Sequence, residues 1–277
     1  MSREKEGMER LPVAGGTIEY IDRGEGRPIL LVHAGVFADW FLPLAASPVL
    51  EGFRVIRIRR AGYASGSPTA AHLSIGAHAA HCAELLDTLG VEQAHVVGHS
   101  SSALIAVELA ADRPQLVRSL VLAEPAPGGS LASPADAEIG QLILGPALAA
   151  AAAGDVGTAF DTFMSIVCAP DYREVLEAAL GPDGLRAAER ESRFFFADEV
   201  AAVLEWAFDK TAAASVRQPV LLLQGGSSPP PVHDVVARLA SWLPHAEVTT
   251  VDGADHLLPL RDPSTLAGLT ADFANQH

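Results

Sequence analysis

The chain has 277 residues, 49% hydrophobic and 19% charged, enough to bury a large core as one domain or as one domain with an inserted subdomain, and too apolar for a disordered chain. Its 34 acidic against 19 basic residues give a formal charge of −15, and that sign repels phosphate backbones and anionic lipid, so neither nucleic acid nor a membrane is expected as a partner. Cys82 and Cys168 stand far apart in segments that read as helical, which excludes a disulfide framework or a CxxC site and leaves two buried thiols.

The charged stretch from Met1 to Arg10 has no apolar h-region, so no secretory signal is visible and a cytoplasmic protein is expected. Leu11 to Val13 and Thr17 to Tyr20 flank Ala14-Gly15-Gly16 and predict a β-hairpin. Short apolar or β-branched runs follow at Pro28 to Val32, Val55 to Ile58, Ala94 to Val97, Leu120 to Leu122, Val220 to Leu223 and Ala246 to Val251. They are separated by stretches long enough for crossover helices, which predicts an α/β fold with a mostly parallel sheet covered on both faces.

The clearest crossover helix spans Ser74 to Leu89, with Ile75, Ala79, Cys82, Leu86 and Leu89 on one face and Gly90 as its stop. His78 and His81 on this helix lack carboxylate or cysteine partners at metal-ligand spacing and are expected to face solvent. Ala103, Ala106, Val107 and Ala110 form a narrow stripe that lets another helix approach the sheet closely.

From Ala126 to Arg217 the strand signal vanishes and the chain becomes alanine-rich and helical, with Phe160, Phe163, Met164 and Val167 on one face. This predicts a helical cap over 126–216 inserted into a core of 1–125 and 217–277. The aromatics Phe194-Phe195-Phe196, Trp206 and Phe208 either line an acyl pocket or glue the cap to the core. The longest apolar stretch, Leu142 to Ala153, is broken by Gly145 and Pro146 and is too short to span a bilayer.

The chemistry concentrates where strands end. Ala94-His95-Val96-Val97-Gly98-His99-Ser100-Ser101-Ser102-Ala103 reads as strand, sharp turn and helix, with Ser100 at the apex. Such a turn tolerates only small residues two before and two after the apex. Ser100 has Gly98 and Ser102 there; Ser101 would place His99, and Ser102 would place Leu104, in the crowded positions. The bland alternative is a serine that merely caps the helix. The segment resembles the nucleophile elbow G-x-S-x-G of the α/β-hydrolase family, with Ser102 in place of the second glycine and a slightly tighter turn expected.

Two further segments carry the resemblance. His33-Ala34-Gly35-Val36 is similar to the family's H-G-x-x loop, which implies an oxyanion hole built from the N–H of Gly35 or Val36 together with that of Ser101. Asp252-Gly253-Ala254-Asp255-His256 looks like the terminal G-x-x-H loop, which implies His256 as the base. The family's acid often follows the strand after the cap, but here Gln224-Gly225-Gly226-Ser227-Ser228 offers no carboxylate. Glu124, at the end of the preceding strand, is the favoured acid, and Asp234, in the first turn of a helix, is the reserve.

The resemblance implies a serine hydrolase that attacks an ester, thioester or related acyl carbon of a small, apolar substrate through an acyl-enzyme, with no cofactor and no metal. Serine rather than aspartate at the apex argues against the alkyl-ester chemistry of dehalogenases and epoxide hydrolases. Cleavage of an activated diketone-type C–C bond, a biosynthetic thioesterase and a hydrolase-like binding protein that has lost its acid remain as alternatives.

Overall fold

The computed structural model describes residues 7–64, 72–132 and 134–277; the first six positions of the charged amino-terminal stretch, Lys5 among them, lie outside the described residues. Among those described, strands β1 (Glu9–Val13), β2 (Gly16–Arg23), β3 (Arg27–Val32), β4 (Phe53–Arg59), β5 (Ala94–His99), β6 (Val117–Ala123), β7 (Val220–Gly225) and β8 (Ala246–Val251) form one sheet. The order across it is β1-β2-β4-β3-β5-β6-β7-β8. The expected hairpin supplies the antiparallel edge, β2 pairs antiparallel with β4, and every pairing from β4 onward is parallel.

The near-continuous apolar runs have a direct cause in this topology. Successive side chains of a strand point to opposite faces, and here both faces are covered. Leu30, Val32, Val96, Leu120, Leu122 and Leu222 pack into one core cluster, while Ile29, Leu31, Val97, Val121, Leu221 and Leu223 pack into another on the opposite side. Each such side chain contributes about 1.5–3 kcal/mol on burial, and the buried polar pair on the central strands, His95 and Ser119, is hydrogen-bonded to itself at 2.8 Å.

Helices α1 (Leu42–Ala45), α2 (Ile75–Thr88) and α3 (Ser101–Asp112) precede β6. Between β6 and β7 lie α4 (Pro134–Ala152), α5 (Val156–Val167), α6 (Tyr172–Phe194), a π-helical turn (Phe195–Glu199), α7 (Val200–Glu205) and α8 (Lys210–Ala213), with no strand among the described residues. The chain closes with α9 (Pro230–Trp242), α10 (Leu258–Arg261) and α11 (Pro263–Gln276). No helix of the described residues is long and apolar enough to cross a membrane. Both cysteines are free and buried, and burial pushes the Cys82 thiol up to about 12.

α2 starts where its cap residue predicts, since Ser74 Oγ accepts the Ala77 N–H at 3.1 Å, and it ends before Gly90, which adopts φ +63°. The expectation for its histidines was wrong, because His78 and His81 are both buried. The hairpin turn covers one of them, with His81 Nε2 at 2.8 Å from the Ala14 carbonyl. Phe194 at the end of α6 covers the other, its ring 6.5 Å from that of His78. Burial then holds the His78 imidazole well below its ordinary pKa, so it sits neutral in the core.

The small-residue stripe of α3 is fully buried, and it lets the helix lie almost on the strand that leads into it. A Cβ added at Gly98 would stand 2.5 Å from the Ser102 carbonyl oxygen, a backbone atom that cannot move aside. Ser102 itself holds the junction rather than filling a gap. Its Oγ accepts the His99 N–H at 2.8 Å and donates to the Val32 carbonyl at 2.5 Å. Gly98→Ala is therefore expected to destabilise the fold by about 1–3 kcal/mol through overpacking, read as a lower urea midpoint with an unchanged slope; a midpoint equal to wild type would mean the helix can retreat from the strand.

Candidate active site

Among the described residues, three that are not glycine have positive φ: Val36 at +73°, Ser100 at +55° and Glu124 at +44°. Left-handed backbone is uncommon outside glycine and a true outlier for β-branched valine, and each instance costs of order 1–3 kcal/mol. All three follow the carboxyl ends of adjacent strands, after β3, β5 and β6 respectively.

Ser100 occupies the apex with φ +55° and ψ −121°. Its backbone is tied on both sides: the Ser100 N–H donates to the Ala123 carbonyl at 3.0 Å, and its carbonyl accepts the N–H groups of Ala103 and Ala126 at 3.1 and 3.2 Å. The elbow is thus fastened to the end of β6, and the residue after Ala123 is Glu124. The Glu124 N–H in turn continues the ladder to the Leu223 carbonyl at 2.8 Å, which turns its side chain toward β7.

That side chain is 1% exposed and every acceptor on it is used. Oε1 accepts the Gly225 N–H at 2.7 Å and the Ser228 hydroxyl, while Oε2 meets His256 Nδ1 at 2.9 Å. Burial alone would push the Glu124 carboxyl up, but the His256 ring, the Ser228 hydroxyl and the Gly225 N–H together hold it below the usual carboxylate value. The serine standing where an acid was sought on the β7 loop is therefore a donor to the acid on the next strand.

His256 lies on the loop after β8, and its ring sits 4.5 Å from the ring of His99, the residue before Ser100. Trp40 closes the other side, edge-on to His99 at 4.8 Å and to His256 at 6.3 Å. The loop is held by its own acid: Asp255 accepts the Leu257 N–H at 2.9 Å and pairs with Arg261 at 3.1 Å. Asp234, the reserve acid, lies exposed on α9.

The loop after β3 departs from expectation in one respect. The Gly35 N–H donates to the Ser101 hydroxyl at 2.9 Å, so it is spent on the elbow helix and not free for a ligand; Val36 and Ser101 keep their places as candidate donors. Gly35 must be glycine for another reason, because a Cβ there would lie 2.7 Å from the Phe195 ring. His33 is a fixed neutral strut, with Nδ1 donating to the Ala34 carbonyl at 2.7 Å and Nε2 accepting the Arg60 N–H at 3.0 Å. Burial keeps it well below the ordinary histidine pKa.

Three participants escaped the sequence. Arg60 and Tyr63, on the turn after β4, and Glu199, on the π-helical turn, meet beneath the Gly35 loop. Arg60 could have been found from the rule that functional residues follow strand ends. Glu199 offers no such signal in a helical stretch. Trp206 and Phe208 stack at 4.8 Å within the main core cluster and act as glue. Phe195 and Phe196, with Phe163, pack in the cluster that contains Val36, Phe37 and Trp40 beside the site. Among the described residues no group of three or more His, Cys, Asp or Glu side chains gathers as a metal site.

The model of the alpha/beta hydrolase family matches residues 29–269. The chain belongs to that family. This alpha/beta hydrolase is 33% identical over 116 residues to the dihydrolipoyllysine-residue acetyltransferase component of the acetoin cleaving system of Cupriavidus necator, covering 41% of this chain and 30% of that protein. It is 29% identical over 136 residues to a 2-hydroxy-6-oxononadienedioate/2-hydroxy-6-oxononatrienedioate hydrolase of a Pseudomonas species, covering 47% and 48%. The matches thus span less than half the length of these curated relatives. Among solved structures, the enol-lactonase of Burkholderia xenovorans LB400 superimposes with a TM-score of 0.78 at 19% identity, over 96% of this chain and 100% of that one, a likeness of fold.

Because the folded pKa of Glu124 lies below its unfolded value, its ionised form contributes stability that is complete above the ordinary carboxylate range and is lost as pH falls through the folded value. Ser228→Ala removes a hydrogen bond to that charge, so it is expected to cost about 1.5–3 kcal/mol at pH 7 and progressively less as the solution is acidified. Urea unfolding as a function of pH measures this, and a pH-independent difference would show that Ser228 does not act through the carboxylate.

Proposed function

We propose that this alpha/beta hydrolase is a serine hydrolase of small apolar acyl substrates, with Ser100 as nucleophile, His256 as general base and acid, and Glu124 as the carboxylate that orients His256. The observation that carries the proposal is the left-handed backbone of Ser100, Glu124 and Val36 at three adjacent strand ends, with the buried Glu124 carboxylate bonded to His256, whose ring lies 4.5 Å from that of His99 beside Ser100. Strain of this kind persists where surroundings over-determine it, and it clusters at reacting groups.

The chemistry follows from the bonding. Glu124 occupies Nδ1 of His256, which fixes the tautomer in which Nε2 carries the free lone pair. Nε2 takes the Ser100 proton as Oγ forms a bond to the acyl carbon, and the carbonyl π electrons move onto oxygen. The N–H groups of Val36 and Ser101, the latter at the positive end of α3, receive that oxyanion. Collapse breaks the bond to the leaving group, which departs with the proton from His256. Water, deprotonated at Nε2, then attacks the acyl-enzyme and releases the acid and Ser100.

In this proposal the helical segment 126–216 is a cap over a core of 1–125 and 217–277, and its Phe195 and Phe196, facing Trp40 and Phe37, make an apolar wall for the acyl chain. Two relatives carry names from hydrolytic chemistry, an enol-lactonase and a hydrolase of an oxo-dienedioate. A panel of short esters, lactones and a dienone substrate separates acyl transfer from C–C cleavage.

A fluorophosphonate probe is expected to modify the protein at Ser100 and to spare Ser100→Ala. Glu124→Gln, which keeps the shape and loses the charge, is expected to lower kcat by about 10³–10⁴-fold. An unlabelled wild type would favour a binding protein, and an undiminished rate in Glu124→Gln would place the acid elsewhere.

A further inference from the structure

Glu199 stands fully buried between the oxyanion loop and the elbow helix. Its Oε1 accepts the Ser101 hydroxyl at 2.6 Å and the Arg60 guanidinium at 2.7 Å, and its Oε2 accepts the Tyr63 hydroxyl. Burial and the neighbouring Glu199 charge push the Tyr63 hydroxyl well above its ordinary pKa, so it stays a donor. Each partner leads back to the loop after β3. Arg60 also donates to the carbonyls of His33 and Ala34, both at 3.1 Å. The Ser101 hydroxyl, while donating to Glu199, accepts the Gly35 N–H at 2.9 Å.

The loop is thus gripped on its carbonyl side by Arg60 and on its N–H side by Ser101, and one carboxylate joins the two grips. The next residue along is Val36, held at φ +73°. A buried Arg–Glu pair adds little net stability compared with apolar side chains of similar volume, whereas it fixes geometry in a way that apolar packing does not. The carboxylate also comes from a π-helical turn, an irregularity concentrated at functional sites.

We propose that Glu199 is a positioning residue that braces the oxyanion hole: through the Ser101 hydroxyl it sets the distance between the Val36 and Ser101 backbone N–H groups. This rests on the serine-hydrolase reading above. Its consequence is that the helical segment completes the hole, since Glu199 reaches Ser101 only when that segment is seated on the sheet.

The test is a double-mutant cycle on hydrolysis of p-nitrophenyl butyrate. Ser101→Ala keeps the backbone N–H and removes only the hydroxyl. It is expected to lower kcat by about 10–100-fold, less than the loss of a whole oxyanion donor, with KM within about threefold of wild type. The rate of fluorophosphonate reaction at Ser100 should fall in parallel. Glu199→Gln keeps an acceptor for Ser101 and is expected to lose less, about 3–10-fold. The double variant is expected to be slower than Ser101→Ala by clearly less than the factor Glu199→Gln alone costs, because Glu199 acts chiefly through that hydroxyl and only the Arg60 grip is left to lose. A merely structural role would give additive losses, or losses shared between kcat and KM, and either result overturns the brace, as would full activity in Ser101→Ala. A wild type with no Ser100-dependent turnover overturns the brace together with the reading beneath it.

Discussion

Everything at the candidate site depends on backbone that would not adopt its conformation alone. Ser100, Val36 and Glu124 each sit at a left-handed φ, at a combined cost of several kcal/mol. What makes this affordable is the parallel sheet, which delivers the ends of β3, β5 and β6 side by side. Two of the strained residues are tied to the neighbouring strand, Ser100 to Ala123 and Glu124 to Leu223, and the residue before Val36 is tied to Ser101 at the start of α3. The ladder hydrogen bonds and apolar packing of the strands supply the stability against which the strain is held. The same strands therefore do two jobs, and a change that loosens their packing loosens the site.

Legibility in the sequence follows the range of the interaction that fixes each feature. The central strands are readable because burial on both faces requires unbroken apolar runs such as Pro28 to Val32. α2 is readable because Ser74 and Gly90 are local signals of capping and stopping. The elbow is readable because crowding between Gly98 and Ser102 is set within five residues. Glu124 was reachable from its place at a strand end. The histidines of α2 were misread because a helical wheel assigns polar residues to solvent, while the cover over them comes from Ala14 and Phe194, far away in the chain. Glu199 was invisible for the same reason: its partners Ser101, Arg60 and Tyr63 lie roughly a hundred residues or more away, and nothing local distinguishes it from other helical glutamates.

Charge on this acidic chain is distributed unevenly between the sheet and the helical segment. The segment contributes carboxylates and the core contributes guanidinium groups: Glu191 pairs with Arg59 at 2.5 Å, Glu199 with Arg60 at 2.7 Å and Asp171 with Arg261 at 2.8 Å. Arg261 also holds Asp255, the neighbour of His256. Ion pairs are directional where hydrophobic contact is not, so these contacts, with the pairing of His72 to Asp198, orient the segment while the aromatic residues supply adhesion. Two of the three are largely buried and escape screening by salt; the Asp171–Arg261 pair is partly exposed and is the weakest of the set.

The serine on the β7 loop completes the surroundings of the acid at the end of β6. Neighbouring strands lie about 4.8 Å apart, so a carboxylate at the end of β6 must reach one strand spacing further to this imidazole than one at the end of β7 would. Glutamate, one methylene longer than aspartate, has that reach, and the left-handed turn at Glu124 aims it. A carboxylate without donors is costly to bury. Ser228 and the Gly225 N–H supply donors from the end of β7. Together with the His256 ring, Ser228 and Gly225 hold Glu124 ionised in a buried position.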